Sequence, residues 1–199
     1  MAVRQFVVIG HNAPTSDEFS LDDLPGAGRL DVLCRCLNSA FVLSHAIRED
    51  VRVHLVLSDT YVVRFEGAEL RRLNPDERST AALVRGALAV RDEAIGAMAA
   101  SPSPGVSIRN GDVESTLHEL ADTGTVVQLH EDGTPAVDLD PPESPVFVLS
   151  DHHEFSDADT STLDAIAEKR VTLGPRALHA DHAITVAHNW LDTDGFERY

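Results

Sequence analysis

Residues 106–129 read Val-Ser-Ile-Arg-Asn-Gly-Asp-Val-Glu-Ser-Thr-Leu-His-Glu-Leu-Ala-Asp-Thr-Gly-Thr-Val-Val-Gln-Leu, and this stretch decides the fold class. A short β run at 106–108, a helical stretch at 113–121 and a second β run at 125–129 follow one another, the alternation of an α/β sheet with helices packed on it. Towards the C-terminus the alternation continues: an acidic, proline-bearing loop at 131–144, a wholly apolar strand at 145–149, a helix at 161–169 and a short strand at 170–173. A closing helix at 180–192 places Ala183, Ile184, Ala187 and Leu191 on its inner face.

Towards the N-terminus, residues 5–9 read as a strand, 14–28 as a long loop of turn formers and acids, and 29–47 as a helix. Two β-branched runs at 51–57 and 61–65, separated by Ser-Asp-Thr, predict a hairpin. Pro75 opens a further helix, with Asn74 as its cap and Asp76 and Glu77 in its first turn. Its Ala-rich continuation is expected to reach residue 100 or so, where Ser-Pro-Ser-Pro-Gly at 101–105 stops it.

A chain of 199 residues is long enough for a real core, and a single domain over 1–199 is expected. No apolar run approaches the roughly 20 residues of a membrane span, and residues 1–10 are too short and strand-like for a signal peptide. The expectation is a cytoplasmic protein with no membrane partner. Cys34 and Cys36 project about 200° apart around a helix axis, which suits reduced structural thiols better than a disulfide or a shared metal.

The charge is lopsided: 33 acids face 16 bases, the net charge is −17, and Lys169 is the only lysine. Acids dispersed along the whole chain are the profile of a halophile's cytosolic protein, because the Debye length falls to about 3 Å in molar salt. In dilute salt such a charge argues against a nucleic-acid partner. In molar salt counterion release supplies little driving force, so recognition rests on local arginines, stacking and shape.

Residues 28–37, Gly-Arg-Leu-Asp-Val-Leu-Cys-Arg-Cys-Leu, offer such arginines. Leu30, Leu33, Cys34, Leu37 and Phe41 recur at helical spacing, which places Arg29, Asp31 and Arg35 on other faces of the first turns, outside the core. Arg29 and Arg35 are candidates to clamp a phosphate, with Asp31 orienting one of them or accepting a proton. The alternative is an acid favoured by the helix dipole beside solvated arginines, and spacing leaves both open.

Three loops follow C-terminal strands: Leu129-His130, Ser150-Asp151-His152, and Leu-Gly-Pro-Arg-Ala-Leu at 173–178. Strand carboxyl ends are where α/β sheets bind ligands, and Gly174 with Pro175 allows close backbone approach, although three ordinary connections would look the same. Asp151, His152, His153, His179, Asp181, His182 and His188 raise a metal reading, since His179 and His182 lie one turn apart. No His-Glu-x-x-His pattern and no nearby cysteine support it, so no metal is expected. Neither a Gly-x-Gly-x-x-Gly nor a Walker sequence is present.

Leu-Pro-Gly at 24–26, the 28–36 segment, Leu-Ser-His at 43–45, Asn-Pro-Asp-Glu-Arg at 74–78, Pro-Val-Phe-Val-Leu-Ser-Asp-His at 145–152 and Leu-His-Ala-Asp-His at 178–182 occur together in this order. The chain thereby resembles, over nearly its whole length, the archaeal tRNA pseudouridine N1-methyltransferases of the SPOUT superfamily. The resemblance implies a SPOUT α/β fold, a mainly parallel sheet flanked by helices, with a C-terminal trefoil knot, an exception to the general absence of knots. It implies S-adenosylmethionine, held in bent form by Leu129, Ser150, Leu173, Gly174, Pro175, Arg176, Ala177, Leu178 and Ala183. Two positions depart from the pattern: the family often has glycine at 150 and cysteine at 183.

The implied substrate is pseudouridine in the tRNA T loop, methylated at N1 by in-line displacement. Asp31 is the leading candidate to accept or orient the N1 proton, with Arg29 and Arg35 holding RNA backbone or uracil carbonyls. Asp76, Glu77 and Arg78 are the runners-up. The resemblance also implies a homodimer, for which the apolar closing helix with Ile184, Trp190 and Leu191 is a candidate contact. Competing functions are N1-methylation of a ribosomal-RNA pseudouridine, RNA binding without catalysis, and a metal-dependent hydrolase built on the histidines.

Overall fold

Strand β1 (Arg4–Gly10) is buried on both faces, and its alternation sorts the molecule into layers. Phe6 and Val8 join a large apolar cluster with residues of α1 (Leu30–Phe41), α2 (Glu77–Ala89) and α5 (Ala180–Asp192). Val7 and Ile9 face a second cluster formed with α3 (Val113–Ala121) and α4 (Asp157–Ile166). A sheet covered by helices on both faces must be apolar on both, which is why its central strands read as continuous rather than alternating hydrophobic runs. The structure, a computed structural model, describes residues 3–71, 73–96 and 98–199.

The other strands are β2 (Val51–Leu57), β3 (Tyr61–Glu66), β4 (Ala100–Ser103), β5 (Val106–Asn110), β6 (Thr125–Pro135), β7 (Pro145–Ser150) and β8 (Lys169–Thr172). They form one eight-stranded sheet in the order β4-β5-β3-β2-β1-β7-β6-β8. The pairs β1–β2, β1–β7, β6–β7 and β6–β8 are parallel, whereas β3, β5 and β4 form an antiparallel margin. Two parts of β6 pair with β8: Val127, Gln128 and Leu129 match Lys169, Arg170 and Val171, and after a shift in register Thr134 and Pro135 match Val171 and Thr172. No helix among the described residues is long and apolar enough to cross a membrane.

Helices α3 and α5 have the expected bounds. Others differ for local reasons. Helix α1 stops at Phe41 rather than near 47, because the chain turns back there to form a bridge between Val42 and Ile47. Helix α2 starts at Glu77, and its cap is Asp76, whose side chain accepts from the Ser79 N–H at 2.7 Å, rather than Asn74. It ends at Ala89, where Arg91 folds back to donate to the Leu88 carbonyl. The expected continuation towards 100 therefore fails; position 97 lies outside the described residues, as do positions 1 and 2 of the N-terminal reading. The Ser-Pro-Ser-Pro-Gly segment begins as edge strand β4, where a proline is tolerated because one side of the strand needs no ladder donor. Helix α4 starts at Asp157, four residues early, because Ser156 and Asp159 close a reciprocal capping box.

The apolar face of α5 is used inside the protomer. Ile184, Ala187 and Trp190 are completely buried in the layer shared with α1, so of the candidate contact residues Ile184 and Trp190 pack within the protomer, while Leu191 is only partly buried.

Candidate functional site

The parallel strands β1, β7, β6 and β8 run the same way, so their carboxyl ends open on one edge of the sheet. Chain direction across the sheet reverses between β1 and β7, the place where open α/β sheets leave a crevice. A cavity of about 290 Å³ lies at the carboxyl ends of β6, β7 and β8, to one side of that point. Leu129 and Ser150 reach it from strand ends, Leu173, Arg176, Ala177 and Leu178 from the loop after β8, and Ala183 from α5. Gly174 and Pro175 line an adjoining space of about 720 Å³ with Pro135 and Val137. The two spaces share the wall made by Leu173, Arg176 and Ala177.

Gly133 fixes part of this wall. A Cβ there would lie 2.4 Å from the Val171 carbonyl carbon, so the segment after Leu129 presses directly on β8. At Gly174, by contrast, an added Cβ would meet nothing. The close approach expected at Gly174 is therefore not to any part of the protein.

The loop after β7 is held by its own side chains. The Asp151 side chain is 1% exposed, and its Oδ1 accepts from the His153 N–H at 2.9 Å. Ser150 Oγ donates to the His153 carbonyl at 2.6 Å, so its hydroxyl closes the turn. His11, just past β1, completes the arrangement: its backbone N–H donates to Asp151 Oδ2 at 3.0 Å, its Nδ1 lies 3.2 Å from Asp151 Oδ1, and its Nε2 lies 2.9 Å from Asp159 Oδ2. Burial acts to lower the His11 pKa, but the hydrogen bonds to Asp159 and Asp151, with their charges, leave it raised above the usual histidine value. Sequence reasoning missed His11, because 140 residues separate it from Asp151.

Asp31 is buried, at 5% exposure, rather than displayed on an outer face. Arg29 meets both of its oxygens, at 3.0 and 3.1 Å, and Arg35 Nη1 donates to Oδ2 at 2.9 Å. Burial works to raise its pKa, yet those hydrogen bonds and the two positive charges hold it below the usual carboxylate range. Arg35 also approaches Glu77 at 3.4 Å and Asp181 at 3.6 Å. Arg78 pairs with Asp22 instead, and Asp76 is spent on capping α2. Gly28 is required just before this cluster: it has φ 59°, and a side chain would collide with the Asn12 carbonyl oxygen. The His11–Asn12 turn thus brings the arginine cluster beside the strand-end loops. Cys34 and Cys36 are buried, and burial pushes both thiols above their ordinary range.

The histidines divide into separate roles. His188 is a core residue between the Arg4 guanidinium at 3.1 Å and the Ala40 carbonyl at 3.0 Å, and burial, reinforced by Arg48 and Arg4, lowers its pKa to about 3. His179 and His182 stand edge to face with ring centres 6.1 Å apart. Among the described residues, His11, Asp151 and His153 bring possible ligand atoms within 4.8 Å of one another, but the hydrogen bonds above already engage them.

A family profile described as "Putative SAM-dependent RNA methyltransferase" matches residues 3–196. A Haloferax volcanii protein named tRNA (pseudouridine(54)-N(1))-methyltransferase is 68% identical over 198 residues, covering 99% of this chain and 100% of its own. A Natronomonas pharaonis protein of the same name shows the same identity and coverage, and one from Methanococcoides burtonii is 42% identical over 197 residues, covering 96% of each chain. In three dimensions the fold is similar to a crystal structure of Archaeoglobus fulgidus Nep1 bound to S-adenosylhomocysteine, with a TM-score of 0.62, 13% identity and 96% of each chain covered.

Proposed function

The chain belongs to the SAM-dependent RNA methyltransferase family whose profile spans residues 3–196, and we propose on that premise that it methylates N1 of pseudouridine 54 in tRNA, as its full-length relatives are named for doing. The geometric observation that carries the reading is the strand-end cavity, whose lining residue Ala180 precedes Asp181, the carboxylate that Arg35 of the Arg29–Asp31–Arg35 cluster approaches at 3.6 Å. Cytoplasmic location and a T-loop site on the tRNA are part of the same reading.

The cavity suits S-adenosylmethionine chemically. Leu129, Leu149, Val171, Leu173 and Ala183 supply apolar walls for a flat base, and Glu131, Asp151 and Glu154 supply negative charge for a cationic ligand. Leu129, Ser150, residues 173–178 and Ala183 are the groups that would hold it. When bound, it supplies an electrophilic methyl group on a positively charged sulfur. Arg29 and Arg35 are suited to RNA phosphate or uracil carbonyls, because each is about a third or more exposed while one side is fixed by Asp31. Asp31 acts as the orienting group, since both of its oxygens are occupied by guanidinium donors. Much of the rate then comes from holding N1 in line with the methyl group.

The knot belongs to this reading too. It is supported by the double pairing of β6 with β8 and by the pressure of Gly133 on Val171, which together bring the segment after Leu129 against the strand that leads into the 173–178 loop. A homodimer rests on the resemblance; Ile184 and Trp190 are filled internally and give it no surface, and sedimentation in molar KCl tests it.

The decisive experiment is nucleoside mass spectrometry after incubation with S-adenosylmethionine and tRNA that contains or lacks T-loop pseudouridine, in molar KCl. N1-methylpseudouridine should form only with the pseudouridine-containing tRNA. Methylation of neither, with the cofactor bound, would remove the activity.

A further inference from the structure

The N1–H of a uracil-type ring is a weak acid, so a methyltransferase acting there needs a group to take its proton. Asp31 is poorly suited: three guanidinium nitrogens hold its oxygens, and its proton affinity is depressed. Glu131 and Glu154 stand on the cavity rim, and a general base works best with a pKa near the operating pH, the range of imidazole as a class. Four histidines also line the cavity: His130, His152, His153 and His179.

Their partners separate them. His130 Nδ1 accepts from the Asp132 N–H at 3.1 Å, so in the neutral ring Nε2 carries the hydrogen and is a donor. His152 Nδ1 stands 3.7 Å from Asp151, beyond hydrogen-bond reach, and its ring lies against that of His153 at 3.8 Å. His179 is in edge contact with His182 and has no carboxylate partner among the described residues. His153 alone of the four has Nδ1 within hydrogen-bond reach of a carboxylate, 3.2 Å from the fully buried Asp151 Oδ1. A ring that donates from Nδ1 to a carboxylate keeps Nε2 unprotonated and basic. The opposite nitrogen agrees, since His153 Nε2 faces the Asn12 amide nitrogen, a donor, at 3.5 Å. Asn12 in turn packs its carbonyl against Gly28, the residue before Arg29.

We propose that His153 accepts the N1 proton of the bound pseudouridine at Nε2, with Asp151 as its positioning residue. The proposal rests on the function above and deepens it. In the step, the N1–H bond breaks, the proton passes to His153 Nε2, and the N1 electron pair forms the bond to the methyl carbon. The C–S bond of the methyl donor breaks with its pair on sulfur, and a neutral thioether leaves. Asp151 stabilises the imidazolium so formed, and His11, on the same carboxylate, keeps Asp151 from turning away.

The test is His153→Gln in the full-length protein, alongside Asp151→Asn. His153 is 43% exposed at its side chain, so its replacement should not disturb folding. We expect kcat to fall about a hundredfold or more and cofactor affinity to stay within a few-fold. Imidazole should partly restore turnover in His153→Ala. A readout independent of turnover is the tautomer: nitrogen NMR of the wild type should show His153 protonated at Nδ1, and Asp151→Asn should shift it towards Nε2. Turnover unimpaired in His153→Gln, a wild-type Nε2–H tautomer, or a loss of cofactor affinity that accounts for the whole defect would each overturn the proposal. A wild type that methylates no pseudouridine overturns the function itself, a result distinct from an active wild type with an unimpaired variant.

Discussion

Arg29 grips Asp31 at two points, Nε to Oδ1 at 3.0 Å and Nη2 to Oδ2 at 3.1 Å, from a left-handed backbone with φ 60°. Arg35 takes the remaining access to Oδ2 from one turn further along α1. Replacing Asp31 by Asn keeps the shape and removes the charge, leaving donors without acceptors. We predict a loss of about 1–3 kcal/mol in urea unfolding and a fall in kcat of about a hundredfold through misplaced arginines, with cofactor affinity nearly unchanged. Because the folded pKa of Asp31 is depressed, its stabilisation is present above the unfolded value of about 3.9 and lost as pH falls through the folded value. Asp31→Asn should lose that acid-side dependence. A cofactor affinity that falls with kcat would move the pair into the cofactor site.

His11 gives the opposite slope. Asp151 and Asp159 face its two ring nitrogens, and His153 stands edge-on to it. Its raised folded pKa means a stabilisation fully present below the unfolded value of about 6.5 and lost as pH rises through the folded one. Unfolding free energies followed across that range should decline in the wild type and decline less in His11→Gln. Parallel curves would show that the two carboxylates do not hold the ring through its charge.

Two glycines on adjoining walls should behave differently. Gly133→Ala drives a methyl group onto the Val171 backbone, which cannot swing aside as a side chain can, and we predict destabilisation of about 1–3 kcal/mol. Gly174→Ala meets open space at ordinary backbone angles, so its thermal midpoint should not change. If the 173–178 loop closes its backbone on the cofactor, the same substitution should weaken cofactor binding several-fold. Calorimetric binding beside thermal melting separates the effects, and an unaltered affinity in Gly174→Ala would remove the backbone contact.

What could be read from the sequence depended on whether its signal was local. Helices α3 and α5 were legible to the residue: Asp112 caps α3 through Ser115, and apolar residues at helical spacing mark the buried side of both. Helix α4 was placed to start at 161 rather than Asp157 because the capping box was not recognised, in which Asp159 closes the cap on Ser156. Helix α2 was overextended because alanine-rich composition says nothing about Arg91 turning back onto Leu88. At the site, the strand-end loops were legible from their positions alone. Asp31 was misread as surface because helical spacing shows which faces are apolar and not what packs over the others; here two arginines lie over the carboxylate. The link from His11 to Asp151 leaves no local trace, since it exists only once β1 and β7 are neighbours.

The net charge of −17 sets a last expectation, about salt. Most bases in the structure are already matched to an acid: Arg4 to Asp50 and Asp192, Arg52 to Glu66, Arg91 to Asp17, Arg109 to Glu119 and Arg170 to Asp164. The surplus carboxylates therefore repel one another across distances longer than any ion pair. Salt weakens both terms unequally. At molar ionic strength the Debye length is about 3 Å, so contact pairs keep part of their attraction while long-range repulsion disappears. Exposed pairs contribute about 0–1 kcal/mol each even in dilute buffer, so little is lost with them. Stability should rise steadily with KCl, the thermal midpoint gaining about 2–4 °C for each kcal/mol relieved. Differential scanning fluorimetry over a KCl series checks this, and a midpoint that falls with salt would mean that ion pairing outweighs the self-repulsion of the chain.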